Sequence, residues 1–296
     1  MNYSIITLKS TDYKALKAIL ESNNLPFSDV GAEHQTFFGA LNDKQLIGAI
    51  GVEKYGKSGL LRSLVVDHSF RSNQIASALY DELVEYCFYE KIEHLFLLTQ
   101  TAIKYFERKG WQEINREKIP DKVKDSLEFS KLCPASATCM TINLLSAYAK
   151  KLFDSGFNCA QSSLLPFALR NGMKRETALS LATGFGAGMV YRGETCGTIT
   201  GCMMAIGLFS GRTEAQDTDA RDLTYMLINE LNKKFSEKHG SINCRNLLQL
   251  NNTTASEWEK AEKDGSFETK CPFFVQDAVE ITQGILAKYS KNVINS

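Results

Sequence analysis

Hydrophobic positions in the first half of the chain switch between two spacings. Residues 3–8, 36–41, 45–53, 60–66 and 94–98 read as strands, and residues 11–19, 73–89 and 101–109 read as helices. Thr11 is the expected cap of the first helix, and Asn42-Asp43 the expected turn of a hairpin between the second and third strands. The long helix carries Ile75, Leu79, Leu83 and Tyr86 on one face, and Gly110 stops the last one. This alternation predicts a mixed α/β domain.

The second half does not alternate. Apolar residues recur at helical spacing over residues 145–153, 159–171, 178–183, 199–209, 223–235 and 275–287, which predicts an all-α helical bundle. The expected architecture is therefore an α/β domain over residues 1–142 followed by an all-α domain over 143–296, with a short ordered junction near 140–146.

Length and composition fit two globular domains. The chain has 296 residues, 44% of them hydrophobic, and its 34 Lys and Arg balance 34 Asp and Glu. No net field draws it to nucleic acid or to an anionic membrane. The start, Met1-Asn2-Tyr3-Ser4-Ile5-Ile6, has no signal-peptide pattern, and no apolar run reaches membrane-spanning length, so a cytoplasmic protein is expected. The sequence leaves assembly into a homo-oligomer open. Eight cysteines in a reducing compartment point to metal or redox use more than to structural disulfides.

Arg71-Ser72-Asn73-Gln74-Ile75-Ala76 joins the apolar strand ending in Val65-Val66 to the long helix. Free backbone N–H groups at a helix N-terminus receive anions, and an arginine beside them adds a charged donor. This stretch resembles the phosphate-binding turn of the GNAT acetyltransferases, Arg/Gln-x-x-Gly-x-Gly/Ala. Arg71 and Ala76 match, whereas Gln74 stands where glycine is usual. The resemblance implies acetyl-CoA held by Val65, Val66, Arg71, Ser72, Asn73, Gln74, Ile75 and Ala76.

Ala102-Ile103-Lys104-Tyr105-Phe106-Glu107-Arg108-Lys109-Gly110-Trp111 resembles a second signature of that family, with Phe106 where the family has the tyrosine that protonates the departing thiolate. Neighbouring Tyr105 is the substitute candidate for the acid. More narrowly, Leu25-Pro26, Phe37-Phe38, Gly51-Val52-Glu53-Lys54-Tyr55-Gly56, Leu61-Arg62-Ser63-Leu64-Val65-Val66 and the tail Ile119-Pro120 through Glu128-Phe129-Ser130-Lys131-Leu132-Cys133-Pro134-Ala135-Ser136-Ala137-Thr138-Cys139-Met140 resemble the arsenic-resistance N-acetyltransferases. That resemblance implies N-acetylation of a small amine or amino-acid-like, arsenic-containing acceptor. Glu53 is the candidate base. Arg62, a charge in the middle of an apolar strand, is expected to hold a substrate carboxylate or a buried Glu or Asp. The rival reading is a non-catalytic sensor of acyl-CoA or a metabolite.

In the second half, Cys159, Cys196, Cys244 and Cys271 occupy particular contexts: Phe157-Asn158-Cys159-Ala160-Gln161, Gly193-Glu194-Thr195-Cys196-Gly197, Asn243-Cys244-Arg245 and Lys270-Cys271-Pro272. Thiolates are soft ligands and redox nucleophiles, so an assembled set implies a metal, a metalloid, an iron–sulfur cluster or a reversible disulfide. The pattern resembles the redox-active C_GCAxxG_C_C family, with Thr198 at the usual alanine. A helix beginning after Cys196 is expected to lower its thiol pKa. Cys202 is read as core, Cys133 and Cys139 as buried loop thiols, and His239 as exposed. Gly184-Phe185-Gly186-Ala187-Gly188 follows no strand, so close packing or a sharp turn explains it better than nucleotide binding.

Overall fold

The computed structural model describes residues 2–134 and 136–294; Ala135 of the tail quoted above, and the outermost residues of both expected domains, lie outside the described residues. The chain divides between Ala147 and Tyr148 into two compact units.

The first unit runs β1 (Ser4–Thr7), α1 (Tyr13–Ser22), β2 (Gln35–Asn42), β3 (Gln45–Tyr55), β4 (Ser58–Val66), α2 (Ile75–Tyr89), β5 (His94–Thr99), α3 (Ile103–Arg108), β6 (Gln112–Glu113), α4 (Asp121–Lys124) and β7 (Thr138–Asn143). Its strands form one sheet in the order β1-β2-β3-β4-β5-β7-β6. All neighbours are antiparallel except β4 and β5. The fold is the expected mixed sheet with helices.

Two local details differ from expectation for identifiable reasons. The Asp12 side chain accepts from Lys9 N–H at 2.8 Å, which tightens residues 10–12 into a 3₁₀ turn and delays α1 to Tyr13. In the hairpin the central residues are Asp43 (φ 46°) and Lys44 (φ 70°), one position later than Asn42-Asp43. Two positive φ angles give the twist that suits a two-residue hairpin. Leu16, Ile19 and Leu20 of α1 pack with Phe37, Ala49 and Val65 beneath one face of the sheet.

The second unit is helix-rich. Asn143 at the end of β7 caps the following helix, α5 (Leu144–Asp154), accepting from Leu145 N–H at 2.9 Å, so strand passes to helix without a linker. There follow α6 (Cys159–Arg170), α7 (Arg175–Ala182), a single turn α8 (Gly186–Val190), α9 (Gly197–Ser210), α10 (Thr218–His239), α11 (Cys244–Leu248), α12 (Ala255–Lys263), α13 (Ser266–Thr269) and α14 (Cys271–Ile294). Apolar α9 is buried along most of its length and packs against α6, α10 and α14. Gly201 lets α9 approach α6 closely: a Cβ there would lie 2.5 Å from the Ala160 carbonyl oxygen. No helix among the described residues is long and apolar enough to cross a membrane.

Candidate functional sites

In the first unit, parallel pairing of β4 with β5 covers only Ser58–Leu60 against His94–Phe96. Beyond that the strands part. The cause lies in β4 itself. Its register with β3 jumps from Gly51↔Arg62 to Ala49↔Val65, leaving Ser63 and Leu64 as a bulge, with Ser63 at φ 58°. A bulge bends its strand and frees backbone groups from the ladder. The space so opened is a cavity of about 560 Å³, walled by Leu61–Leu64 on one side and Leu97–Ala102 on the other, and closed by Leu25, Phe106, Glu128 and Cys133.

At the end of β4, Arg71 donates through Nε to the Val66 carbonyl at 3.2 Å and through Nη2 to Asn23 Oδ1 at 2.9 Å; Asn23 lines the cavity. Ala78 N–H is the first to bond back, to the Gln74 carbonyl at 3.0 Å, so the amides of Ile75, Ala76 and Ser77 precede the helical ladder of α2. Gln74 itself is left-handed, φ 58° and ψ 9°, and Ser72 also has positive φ, at 67°. That conformation explains why glycine suits this position: it costs a side-chain-bearing residue about 1 kcal/mol. Val65 and Ile75 are buried in the core, and Asn73 turns its amide to the Phe70 and Arg71 carbonyls, so what these positions offer a ligand is backbone.

The other candidates are distributed differently from the expectations. Tyr105 does not line the cavity; Phe106, which has no acidic proton, does. Burial pushes the Tyr105 hydroxyl up to about 12, and it interacts with Ser77 and Asp81 of α2 and with Arg108 of α3. Glu53 sits behind the cavity wall with its acceptors engaged. Gln35 donates to Oε1 at 2.9 Å, Tyr55 to Oε2 at 2.6 Å, and Arg62 Nη1 also donates to Oε1.

Arg62 is fully buried and faces three carboxylates. Asp29 receives it bidentately, at 2.5 and 2.7 Å, Glu53 takes a further bond, and Glu128 lies 2.8 Å from Nε. Of Arg62's two expected roles, holding a substrate carboxylate or a buried Glu or Asp, these contacts supply the second. Asp29 and Glu128 were not singled out from the sequence. Burial pushes Glu128 up to about 7, and the Glu53 and Asp29 charges add to this against the pull of Arg62. Asp29 is held below its ordinary value, because Arg62 outweighs the opposing effect of burial.

In the second unit the four cysteines converge, although they come from distant segments. Cys196 interacts side chain to side chain with Cys159 and with Cys244, and Cys271 lies within electrostatic reach of Cys159 and Cys196. Each stands at the start of a helix: Cys159 opens α6, Cys196 caps α9, Cys244 opens α11 and Cys271 opens α14. The first is fixed by a capping box, in which Asn158 and Gln161 each accept from the other's N–H at 2.9 and 3.0 Å. Cys196 and Cys244 are brought together by a small antiparallel bridge, Thr195 opposite Asn243, with Cys196 N–H donating to Ile242 and Cys244 N–H to Glu194 at 2.8 and 2.7 Å. All eight thiols of the chain are free, and Cys159, Cys196 and Cys244 are buried while Cys271 is half-buried.

The helix after Cys196 forms as expected, but the anticipated low pKa does not follow. Cys244 and burial push the Cys196 thiol up against the opposing effect of Cys159, and Cys159 is raised by Cys196 and by burial. Burial likewise pushes Cys271 up to about 12. Among the described residues, no group of three or more His, Cys, Asp or Glu side chains is arranged to hold a metal ion. The metal, metalloid and iron–sulfur expectations are not confirmed by this arrangement. Cys202 is core, as expected. His239 is not exposed: its ring packs against Phe235 and Phe274 and faces Asp277 at 2.9 Å.

The glycine-rich stretch is a left-handed helical turn. Ala187, Gly188, Met189, Val190 and Tyr191 all have φ between 50° and 65°, closed by a Tyr191 N–H bond to the Ala187 carbonyl at 3.0 Å. Each non-glycine residue there costs roughly 1–2 kcal/mol. Tertiary contacts hold the turn: Ala187 N–H donates to the Cys159 sulfur, Gly188 packs against Cys244, and Trp258 Nε1 donates to the Tyr191 carbonyl at 3.0 Å. A sharp turn was expected of this stretch; its left-handed sense, carried by Ala187, Met189, Val190 and Tyr191, is not marked by their residue types.

Comparison with known families agrees with both halves. The Acetyltransferase (GNAT) family matches residues 4–111, and the family described as "Putative redox-active protein (C_GCAxxG_C_C)" matches residues 157–285. The chain carries a GNAT acetyltransferase domain and a C_GCAxxG_C_C domain. Among solved structures, a GNAT-family acetyltransferase from Staphylococcus aureus Mu50 is 19% identical with a TM-score of 0.41, covering 48% of this chain and 99% of its own. N-acetylglutamate synthase from Neisseria gonorrhoeae, complexed with coenzyme A and N-acetyl-glutamate, is 16% identical with a TM-score of 0.42, covering 49% of this chain and 35% of its own. The ribosomal-protein-S18-alanine N-acetyltransferase from Escherichia coli is 17% identical with a TM-score of 0.40, covering 48% of this chain and 94% of its own. No curated protein matches the chain. The arsenic-resistance subtype rests on the sequence motifs alone.

Proposed function

We propose that the GNAT domain transfers an acetyl group from acetyl-CoA to a small amine, and that the C_GCAxxG_C_C domain is a dithiol–disulfide module. The observation that carries the first reading is the parting of β4 from β5 at the Ser63–Leu64 bulge. It opens a cavity beside backbone groups released from the sheet, and Asn23, which lines it, bonds Arg71 of the turn before α2. These residues fit acetyl-CoA. Arg71 and the amides of Ile75, Ala76 and Ser77 receive its phosphates, and amides freed at the bulge polarise the thioester carbonyl. A neutral amine then forms the C–N bond as the C–S bond breaks; the nitrogen gives up one proton and the departing thiolate of coenzyme A takes one up, which yields the amide and the free thiol.

The thiol reading is supported by the convergence of four free cysteines. Cys271, the half-buried member, meets an external disulfide. Exchange there passes a disulfide inward to the buried thiols, while the external disulfide is reduced to two thiols.

Release of coenzyme A from acetyl-CoA, followed with and without a panel of primary amines, tests the first reading. Amine-dependent release is expected. Saturable acetyl-CoA binding without release would favour the sensor reading, to which Phe106 in place of a protonating tyrosine lends weight. For the second reading, reduced protein mixed with oxidised glutathione loses two titratable thiols per disulfide formed. Full retention of all eight in the unfolded protein would contradict it.

A further inference from the structure

The buried cluster at the cavity wall holds one cation and three carboxylates. Its donors are unevenly shared. Asp29 takes two guanidinium bonds, and Glu53 is served by Gln35, Tyr55 and Arg62. Glu128 is left short. Among the described residues, its Oε1 accepts only from a weak thiol donor, Cys133 Sγ at 3.8 Å. Its Oε2 lies 2.8 Å from Arg62 Nε but out of line for a hydrogen bond, and that nitrogen donates instead to Ser63 Oγ at 3.3 Å. A carboxylate 6% exposed with an unbonded oxygen is costly unless something else supplies a donor.

Glu128 is also the carboxylate of the cluster that reaches the cavity. Among the described residues lining it, Glu128 is the sole carboxylate and Arg62 the sole cation. Arg62 is already outnumbered, so it offers no field to an incoming anion. A substrate carboxylate placed here would meet a net negative cluster among Leu61, Leu64, Leu97 and Leu98. An ammonium would find the missing counter-charge and give the orphaned Oε2 its donor.

We propose that the acceptor is an aliphatic amine without a neighbouring carboxylate, whose ammonium docks on Glu128 in the cavity between β4 and β5. Arg62 is then a positioning residue that holds Glu128, Asp29 and Glu53 together rather than a receptor for substrate. This rests on the acetyl-transfer reading of the same cavity, and names its substrate class.

The test uses the full chain and two probes of equal length, n-butylamine and 4-aminobutyrate, which differ by one carboxylate. With coenzyme A present, calorimetry is expected to show butylamine binding at least about tenfold tighter. Glu128→Gln, which keeps shape and removes the charge, is expected to bring the two probes to within about threefold while acetyl-CoA binding stays at the wild-type value. Equal or tighter binding of 4-aminobutyrate by the wild type, no binding of butylamine, or an unchanged preference in Glu128→Gln overturns the proposal. The wild-type comparison decides even where the variant does not fold. Failure of acetyl-CoA itself to bind would strike the acetyl-transfer reading, and is separately visible in the same instrument.

Discussion

Gly201→Ala should destabilise the thiol domain, against the ordinary helix preference for alanine. The added Cβ would lie 2.5 Å from the Ala160 carbonyl oxygen, 3.0 Å from Ser163 Cβ and 3.2 Å from the Ala160 carbonyl carbon. Ordinary contacts begin near ~3.5 Å, so α9 would have to move about 1 Å from α6, against backbone that cannot rotate aside. Overpacking of this kind costs about 1–3 kcal/mol, and alanine in place of glycine in a helix returns about 1 kcal/mol. Because the clash is with backbone, the upper part of that range applies, and a net loss of about 1–2 kcal/mol is expected. Gly207 on the same helix has nothing within 4 Å of its hypothetical Cβ, so Gly207→Ala should gain about 0.8–1 kcal/mol. Urea unfolding reads both. The chain has two tryptophans, Trp111 and Trp258, one in each unit, so a Trp111→Phe background leaves Trp258 to report the thiol domain alone. Opposite shifts are predicted. A Gly201→Ala protein as stable as its parent would refute the close approach of α6 and α9.

Three other outcomes follow from the same physics. Gln74→Gly relieves a left-handed side-chain-bearing residue at the phosphate turn, and should tighten acetyl-CoA binding severalfold by calorimetry; weaker binding would show that the Gln74 side chain is itself a contact. Alkylation of Cys271 by iodoacetamide in the native reduced protein should be slow at pH 7.5 and rise about tenfold per pH unit, because burial holds its thiol near 12; fast labelling at neutral pH, read by peptide mass mapping, would contradict the buried environment. Glu128 has its folded-state pKa raised from 4.5 to about 7, so the folded GNAT domain binds this proton more readily than the unfolded chain does. That stabilisation is present below about 4.5 and is lost as pH rises toward 7, by up to on the order of 3 kcal/mol. Glu128→Gln should flatten this part of the stability–pH curve, and an unaltered curve in urea titrations at pH 5 and 7 would count against it.

What the sequence disclosed and what it hid divide along physical lines. Strands β2 to β5 and helices α2, α6, α9 and α10 have long runs of one period, and burial enforces that period. β7 was not anticipated, because Thr138–Asn143 mixes polar and apolar residues, and only pairing with β5 and β6 makes it a strand. β6 is two residues long and has no period to read. Arg62 stood out as a charge within an apolar strand, yet its partners Asp29 and Glu128 lie far off in sequence, outside the strands, and nothing local links them to β4. The convergence of four cysteines followed from their contexts. The left-handed turn beside them could not be foreseen, since Ala187, Met189 and Val190 have no intrinsic preference for it and tertiary bonds impose it. Cys196 is instructive in the same way: its place at a helix start was legible, whereas the burial and neighbouring thiols that raise its pKa belong to the assembled domain.

The measurement that bears most directly on the central claim is calorimetric titration of the reduced full chain with acetyl-CoA, for wild type and Arg71→Ala. Arg71 anchors the end of β4 to the turn before α2, beside the unpaired amides that are to hold the phosphates. Binding near micromolar, about −8 kcal/mol, weakened at least tenfold by the substitution, is predicted. Absence of binding in the wild type, or equal affinity in the two proteins, would contradict the account.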